Sequence, residues 1–344
     1  MAYTTIDLPT DYFNTVTYTG NGVGGTNITG VGFQPDLVWI KRRSAVEYHV
    51  WNDAVRGVPK NIYSNVTNAE DTGSLMSAII SDGFTVQTDG SVNGSGSTYV
   101  AWNWLGANTT VSNTSGTITS TVSANTTSGF SIVSYTGNGS SGATVGHGIG
   151  STVGMILLKG RSFSDNWAVY HKSIGGTGLL ELNGTGGTNT ISTRWNNTNA
   201  GATVFTLGNN SQVNNSGSTY VAYCFADVKG FSKFGSYTGN GNADGTFIYT
   251  GFKPAFVITR RTDSAENWAM FDNKRDGFNV NNRIILANTS DAENTANTYL
   301  DLLSNGFKAR STSGAINSSG GTYIYMAFAE NPFVSSTGIP TTAR

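Results

Sequence analysis

The chain is expected to be all-β, built as three tandem β-sandwich or jelly-roll-like modules of about 100 residues each. Three observations predict this: a phrase repeated three times, period-two alternation in the segment that closes each block, and frequent Gly-rich turns. A β-propeller is the alternative, but blades of about 40 to 50 residues would require two per block, and no half-block repetition is visible.

The repeated phrase is Tyr-Thr-Gly-Asn-Gly, at Tyr18–Gly22, Tyr135–Gly139 and Tyr237–Gly241. Its tyrosines lie 117 (135 − 18) and 102 (237 − 135) residues apart. Solenoid repeats run to roughly 20 to 50 residues, so each copy heads a block large enough to be a domain. Each block starts with an aromatic residue (Phe13, Phe130, Phe231) and the phrase. An apolar run ending in basic residues follows, then an aromatic patch, then Asn-x-Ser-Gly and a closing strand. The implied division is an N-terminal arm (1–12), module 1 (13–106), a Ser/Thr/Asn-rich linker (107–129), module 2 (130–228), module 3 (229–334) and a C-terminal arm (335–344). Within the linker, Thr117–Val122 alternates and reads either as an edge strand or as flexible chain. Modules 2 and 3 join through Lys229 and Gly230 alone, so they are expected to pack closely, with module 1 more separate.

Short apolar runs at 37–40, 155–158 and 256–258, bounded by Pro or Gly, read as fully buried strands. In the closing strands, Val100/Trp102/Trp104, Val221/Tyr223/Phe225 and Ile324/Met326/Phe328 fall on one bulky face. The opposite face is mostly smaller, which lets a second layer approach. Asp82-Gly83 and Asn305-Gly306 mark hairpin turns. A capped helical turn is expected only around 68–71 and 290–293.

Composition narrows the function. Only 12% of residues are charged, against about 25% in typical domains. Ser, Thr, Asn and Gly must cover the surface. With 7 Trp, 15 Tyr and 17 Phe the chain is expected to fold rather than stay disordered. A net charge of −1 offers no broad attraction to nucleic acid or an anionic membrane. The one cysteine, Cys224, excludes an internal disulfide and reads as a small buried side chain. No apolar run approaches the roughly 18 residues of a membrane span, and the first residues lack a signal-peptide pattern, so a soluble chain not exported by that route is expected.

Comparing the blocks tests for catalysis, because an ancestral site would persist in several copies. After the aromatic patch the blocks carry Asn52, His171 and Asp272, which share no acid, base or ligand. His49, His147 and His171 lack metal-ligand spacing and read as surface or hydrogen-bonded histidines. The Asp-Gly pairs at 82, 89 and 244 read as turns rather than calcium loops. The repeated phrase lacks the Gly-Lys-Ser/Thr ending of a phosphate loop and reads as a type I′ or related turn. No catalytic residue, metal or cofactor is assigned.

The shared polar feature is the basic end of each apolar strand: Lys41, Arg42 and Arg43; Lys159 and Arg161; Arg260 and Arg261. One reading is solvated strand ends that block edge pairing. The other is an interface in which each module offers Arg or Lys to a carboxylate on a neighbouring subunit. Trp51, Trp167 and Trp268 beside them read as core packing, or else as interface anchors or platforms for sugar rings.

These motifs resemble a family of repeat proteins encoded mainly by tailed bacteriophages, marine ones especially, and usually labelled as virion or tail proteins. The resemblance rests on Ser236–Thr246, Gly251–Ala255, Asn267-Trp268, Asn288–Glu293 and Gly320–Glu330. It covers nearly the whole chain, and Asn103-Trp104 of the first block departs most from it. The resemblance implies a non-enzymatic structural protein on the exterior of the phage particle, with capsid decoration or cement as the leading role. Its partners would then be capsid or tail subunits in a symmetric assembly. The three modules would mimic a trimer, and short arms would reach over neighbouring subunits. A tail-fibre or tail-tip adhesin holding host surface glycan is the second reading, and a glycan depolymerase the third.

Overall fold

The computed structural model describes residues 3–277 and 279–341. Strands fill it. The first repeat holds β1 (Phe13–Thr19), β2 (Thr26–Thr29), β3 (Leu37–Arg42), β4 (His49–Asp53), β5 (Ile62–Tyr63), β6 (Met76–Ile80), β7 (Gly83–Val86) and β8 (Thr98–Trp104). The second holds β9 (Val111–Asn113), β10 (Ser120–Asn125), β11 (Phe130–Thr136), β12 (Ala143–Gly146), β13 (Val153–Gly160), β14 (Ala168–His171), β15 (Gly178–Glu181), β16 (Asn189–Thr190), β17 (Val204–Leu207) and β18 (Thr219–Ala226). The third holds β19 (Ser232–Thr238), β20 (Phe247–Tyr249), β21 (Phe252–Arg261), β22 (Ala269–Asp272), β23 (Ile285–Leu286), β24 (Leu300–Leu303), β25 (Gly306–Ala309) and β26 (Thr322–Pro332). Four helices of four residues each, α1 (Gly90–Asn93), α2 (Ser192–Trp195), α3 (Ser211–Asn214) and α4 (Gly314–Asn317), complete the set with a 3-10 turn at Pro9–Asp11.

One strand order is written three times. The large sheets run β1-β8-β3-β4-β5, β11-β18-β13-β14-β15 and β19-β26-β21-β22-β23; the second is extended by β10 and β9 outside β11 and by β16 outside β15. The apolar runs and closing strands lie at the centre, which is why both faces of each are apolar. Small sheets β2-β7-β6, β12-β17 and β20-β25-β24 form the second layers. The hairpins expected at Asp82-Gly83 and Asn305-Gly306 join β6 to β7 and β24 to β25.

Each large sheet is buried on two faces, against different partners. The smaller face packs on the small sheet of its own repeat, as where Val38, Ile40 and Ala101 meet Ile28, Phe84 and Val86. The bulky faces of all three repeats share one further core, which contains Trp102, Trp104, Tyr223, Phe225, Met326 and Phe328. At its centre three equivalent rings from the closing strands form a triangle. Trp104 lies 6.1 Å from Phe225 and 5.7 Å from Phe328, and Phe225 lies 6.0 Å from Phe328, all edge-on. A threefold pseudo-axis therefore runs between them. At about 1.5–3 kcal/mol for each large apolar side chain removed from water, this core binds the repeats together.

That core corrects the expectation that module 1 stands apart, since it contributes as fully as the others. Residues 107–129 are likewise not a free linker, because they supply β9 and β10 to the second large sheet. The alternation at 117–122 buries Ile118 and Val122 in the core of the second repeat. The described residues of the N-terminal arm lie on the body and meet those of the C-terminal arm. Tyr3 donates a hydrogen bond to Gly251 O at 2.7 Å, Ile6 enters the shared core, and Asp7 accepts from the Ser336 N–H. No helix forms at 68–71 or 290–293, because both segments run extended along a neighbouring repeat.

The repeated phrase carries β1, β11 and β19 out of the large sheets toward the small ones, so it is a crossing between layers rather than a hairpin. Its tyrosines stack at 5.0, 5.1 and 4.9 Å on Tyr99, Tyr220 and Tyr323. Its first glycine is obligatory: a Cβ on Gly20, Gly137 or Gly239 would sit 2.5, 2.4 or 2.4 Å from a backbone oxygen behind the short helix. Its last glycine has φ of 72°, 74° and 67° at Gly22, Gly139 and Gly241, the left-handed region where a side chain is strained. Its asparagine N–H is received by Asn93, Asn214 or Asn317 Oδ1, which explains the Asn-x-Ser-Gly landmark.

Candidate functional site

Five of the strand-end basic residues, Lys41, Arg43, Lys159, Arg161 and Arg260, converge on the three seams between repeats, and they do so cyclically. Lys41 Nζ donates to Glu47 O within its own repeat and to Ser290 O of the third, at 2.7 and 2.9 Å. Lys159 Nζ donates to Asp165 O in its own repeat and to Thr67 O of the first, at 2.8 and 3.0 Å. Arg260 Nη2 donates to Gly186 O of the second. Repeat 1 thus leans on 3, 2 on 1 and 3 on 2, closing a ring. Burial drives the Lys41 and Lys159 ammoniums down to about 8 and Arg260 down to about 10.

Two seams carry matching ion networks. In the 1/3 seam Arg43 grips Glu293 with two bonds of 3.0 and 2.9 Å, and Arg275 joins Glu293 to Asp272 at 3.0 and 2.6 Å. Trp102 Nε1 donates to Asp272 at 3.1 Å. In the 2/1 seam Arg161 grips Glu70 at 2.8 and 3.0 Å, Arg56 joins Glu70 to Asp53, and the Tyr223 hydroxyl donates to Asp53 at 2.6 Å. Burial alone would raise the Glu293 carboxyl, but the Arg43 hydrogen bonds and the charges of Arg275 and Arg43 hold it down at about 2. Glu70 is lowered by the same contest between burial and Arg161 and Arg56.

The third seam has the same backbone and none of these ions. Thr188 N–H donates to Thr262 O at 2.7 Å, as Glu293 N–H does to Arg43 O and Glu70 N–H does to Arg161 O, so the positions correspond. Thr262 stands for Arg43 and Arg161, and Thr188 for Glu293 and Glu70. By strand register His171 stands for Asp53 and Asp272, and Met326 for Trp102 and Tyr223. Ile174, three residues after His171, replaces the arginine. Five positions differ together. The donor side chain, its acid, the linking arginine, the second acid and the outer arginine are all absent at once.

These geometries correct several sequence expectations. The carboxylate partners of Arg43 and Arg161 belong to another repeat of the same chain rather than to a neighbouring subunit. Arg261 pairs locally with Asp263 at 2.9 Å, while Arg42 Nε meets no acceptor among the described residues. Trp51, Trp167 and Trp268 are all buried in the shared core, where no sugar ring can reach them. They are also not equivalent. His49, Trp167 and Trp268 occupy one position, each donating its N–H to an asparagine (Asn65, Asn183, Asn288), and Trp51 lies two residues further on. The same shift makes Asp53, rather than Asn52, the partner of His171 and Asp272. An acid therefore is shared by two repeats.

The histidines are buried, with none on the surface. His49 Nδ1 accepts from Trp39 Nε1 at 2.9 Å, and His171 Nδ1 accepts from Ser173 N–H at 3.1 Å. Burial pulls His147 and His171 down to about 4. Cys224 is buried and its thiol is raised by burial. Asp82 accepts from Gly30 and Gly32 N–H and Asp89 caps α1, which is turn chemistry. Among the described residues no group of His, Cys, Asp and Glu is placed to hold a metal ion, and no helix is long and apolar enough to cross a membrane. The converging carboxylates are bound to guanidinium groups, which occupies the oxygens that acid–base chemistry would need.

Residues missed from sequence are Asp53, Arg56, Glu70, Asp272, Arg275 and Glu293. A signal existed in Asp53-x-x-Arg56-Gly57 and Asp272-x-x-Arg275-x-Gly277, a pairing that His171-x-x-Ile174 lacks. A family model described as a domain of unknown function, DUF7483, matches residues 8–332. The chain belongs to the DUF7483 family. No curated protein matches it, and no solved structure does. The match runs from before β1 to the end of β26, so the family unit is the whole ring of three repeats.

Proposed function

We propose that this DUF7483 protein is a non-enzymatic structural component of the exterior of a phage particle, most simply a capsid decoration protein. The triangle of Trp104, Phe225 and Phe328 carries the reading, because it gives one chain a threefold pseudo-axis that suits a local threefold of a shell. The low charge and the occupation of the converging acids by arginines support a scaffold over a catalyst. Reconstruction of the virion tests this: density over capsid threefold positions is expected, and density confined to the tail overturns it.

A tail adhesin is the second reading, and one observation favours it. Phe247 and Tyr249 on β20 are exposed at 44% and 50%, with the Lys233 ammonium 5.1 Å from the Tyr249 ring centre. Glycan binding lost in Tyr249→Ala would shift the assignment to adhesion.

A further inference from the structure

One cleft gathers cations that the chain leaves unpaired. It encloses about 440 Å³ where the second and third repeats meet the N-terminal arm, and is lined by Tyr3, Lys172, Asp227, Lys229, Lys233 and Tyr249. Its one acid is already engaged, since Asp227 pairs with Lys172 and accepts the Phe234 N–H at 2.8 Å. Lys229 Nζ lies 4.5 Å from the Tyr3 ring centre and Lys233 Nζ 5.1 Å from that of Tyr249, and neither meets a carboxylate among the described residues. The two phenol oxygens are 3.4 Å apart, so two ammonium groups flank a joined pair of rings. In a chain with 20 Lys and Arg among 344 residues, three lysines against one aspartate make a local excess of positive charge.

The other two repeats show that folding does not require these side chains. By register Phe247, Tyr249 and Lys233 correspond to Asn27, Thr29 and Asn14 in the first repeat, and to Thr144, Gly146 and Ser131 in the second. Asn14 turns inward and donates to Val31 O at 2.9 Å. Ser131 lies opposite Ala124 of β10, and the Gly146 carbonyl accepts from Ser120 Oγ, so the chain covers its own second copy. Only the third copy places two large rings and a cation here, and both rings stay exposed. Aromatic surface left open beside unpaired charge marks a contact site.

We propose that the cleft and the adjoining Phe247/Tyr249 strip bind an acidic saccharide, a sugar ring bearing a carboxylate as in a uronate or a sialate. The apolar C–H face of the sugar rests on the exposed rings, and its carboxylate accepts from the Lys229 and Lys233 ammoniums. A peptide strand fits less well, because β20 is the edge of its sheet and the outward Tyr249 carbonyl already accepts from Lys233 at 3.0 Å. The inference rests on the second, glycan-binding reading above and names the class of glycan.

The test presents the full chain to an array of uronate- and sialate-bearing oligosaccharides, printed beside the same sugars with their carboxylates methyl-esterified. The acidic sugars alone should bind, and raising salt from about 50 to about 500 mM should weaken them. Lys229→Gln, Lys233→Gln and Tyr249→Ala should each cost at least about tenfold in affinity, with Lys274→Gln, outside the cleft, unchanged. Esterified sugars bound as tightly as the acids, or full affinity in both cleft lysine variants, overturns the acidic class and leaves glycan binding standing. Polyglutamate bound as tightly overturns the saccharide, and no binding to any sugar overturns both readings.

Discussion

The ionic 1/3 and 2/1 seams and the neutral 3/2 seam solve one packing problem with opposite chemistry. All three share a backbone bond across the seam and a buried cation at the strand end, yet only two contain the Arg-Glu-Arg-Asp chain. A buried guanidinium or carboxylate left without its partner costs several kcal/mol, whereas loss of the whole set is nearly neutral. This explains why the five positions differ together. Intermediate combinations would strand a charge in a low dielectric. The neutral seam gives up the ion pairs, keeps the backbone bond, and retains a groove beside Ser173, Ile174 and Thr262.

The largest break in this comparison should come from Arg275→Ala, which strands the buried Asp272 carboxylate, while Glu293 keeps Arg43 and Arg283, and should cost about 3–5 kcal/mol in denaturant unfolding. Ile174→Ala at the matching position removes a half-buried side chain and should cost at most about 2 kcal/mol. Equal losses would mean that the ions contribute nothing beyond volume.

Titration should separate the seams by pH. Glu293 is depressed from 4.5 to about 2 in the folded chain, so its contribution is complete above the unfolded value and is lost as pH falls from about 4.5 to about 2. His171 is depressed from 6.5 to about 4, so the unfolded chain takes up its proton first and stability falls between those values as pH drops. Glu293→Gln should flatten the lower window and His171→Asn should remove about one proton from the slope of the upper one. Stability curves recorded against pH check both, and no change of slope in either variant would refute the assignment.

Smaller effects probe the donor into the buried acid. Tyr223→Phe leaves Asp53 without its hydroxyl partner and should cost about 1.5–3 kcal/mol, against less than about 1.5 for Met326→Leu in the neutral seam. Smallest of all, Thr262→Arg with Thr188→Glu should change stability by only about 0–1 kcal/mol, because the new pair is partly exposed. Thr262→Arg alone should melt lower than the pair, and differential scanning calorimetry resolves the difference.

Local physics was legible in the residues themselves. Alternation along the closing strands, the short apolar runs, the hairpin glycines and the threefold phrase were readable because backbone sterics and the two-residue period act between near neighbours. They determined an all-β chain with one strand order repeated. What covers each sheet face was not legible. A bulky face such as Val100/Trp102/Trp104 announces that it will be buried, but whether inside its own repeat or against two others depends on how the sheets close. Nor could Arg43 be matched to Glu293 or Arg161 to Glu70, partners 250 and 91 positions apart. The aromatic patches by themselves group Trp51 with Trp167 and Trp268, because an aromatic two residues away satisfies the same pattern. The sequence alone therefore determined the strands and their repetition. Only the tertiary structure decided the shared core, the ring of seams and the one seam left open, because burial and charge pairing depend on which distant surfaces meet.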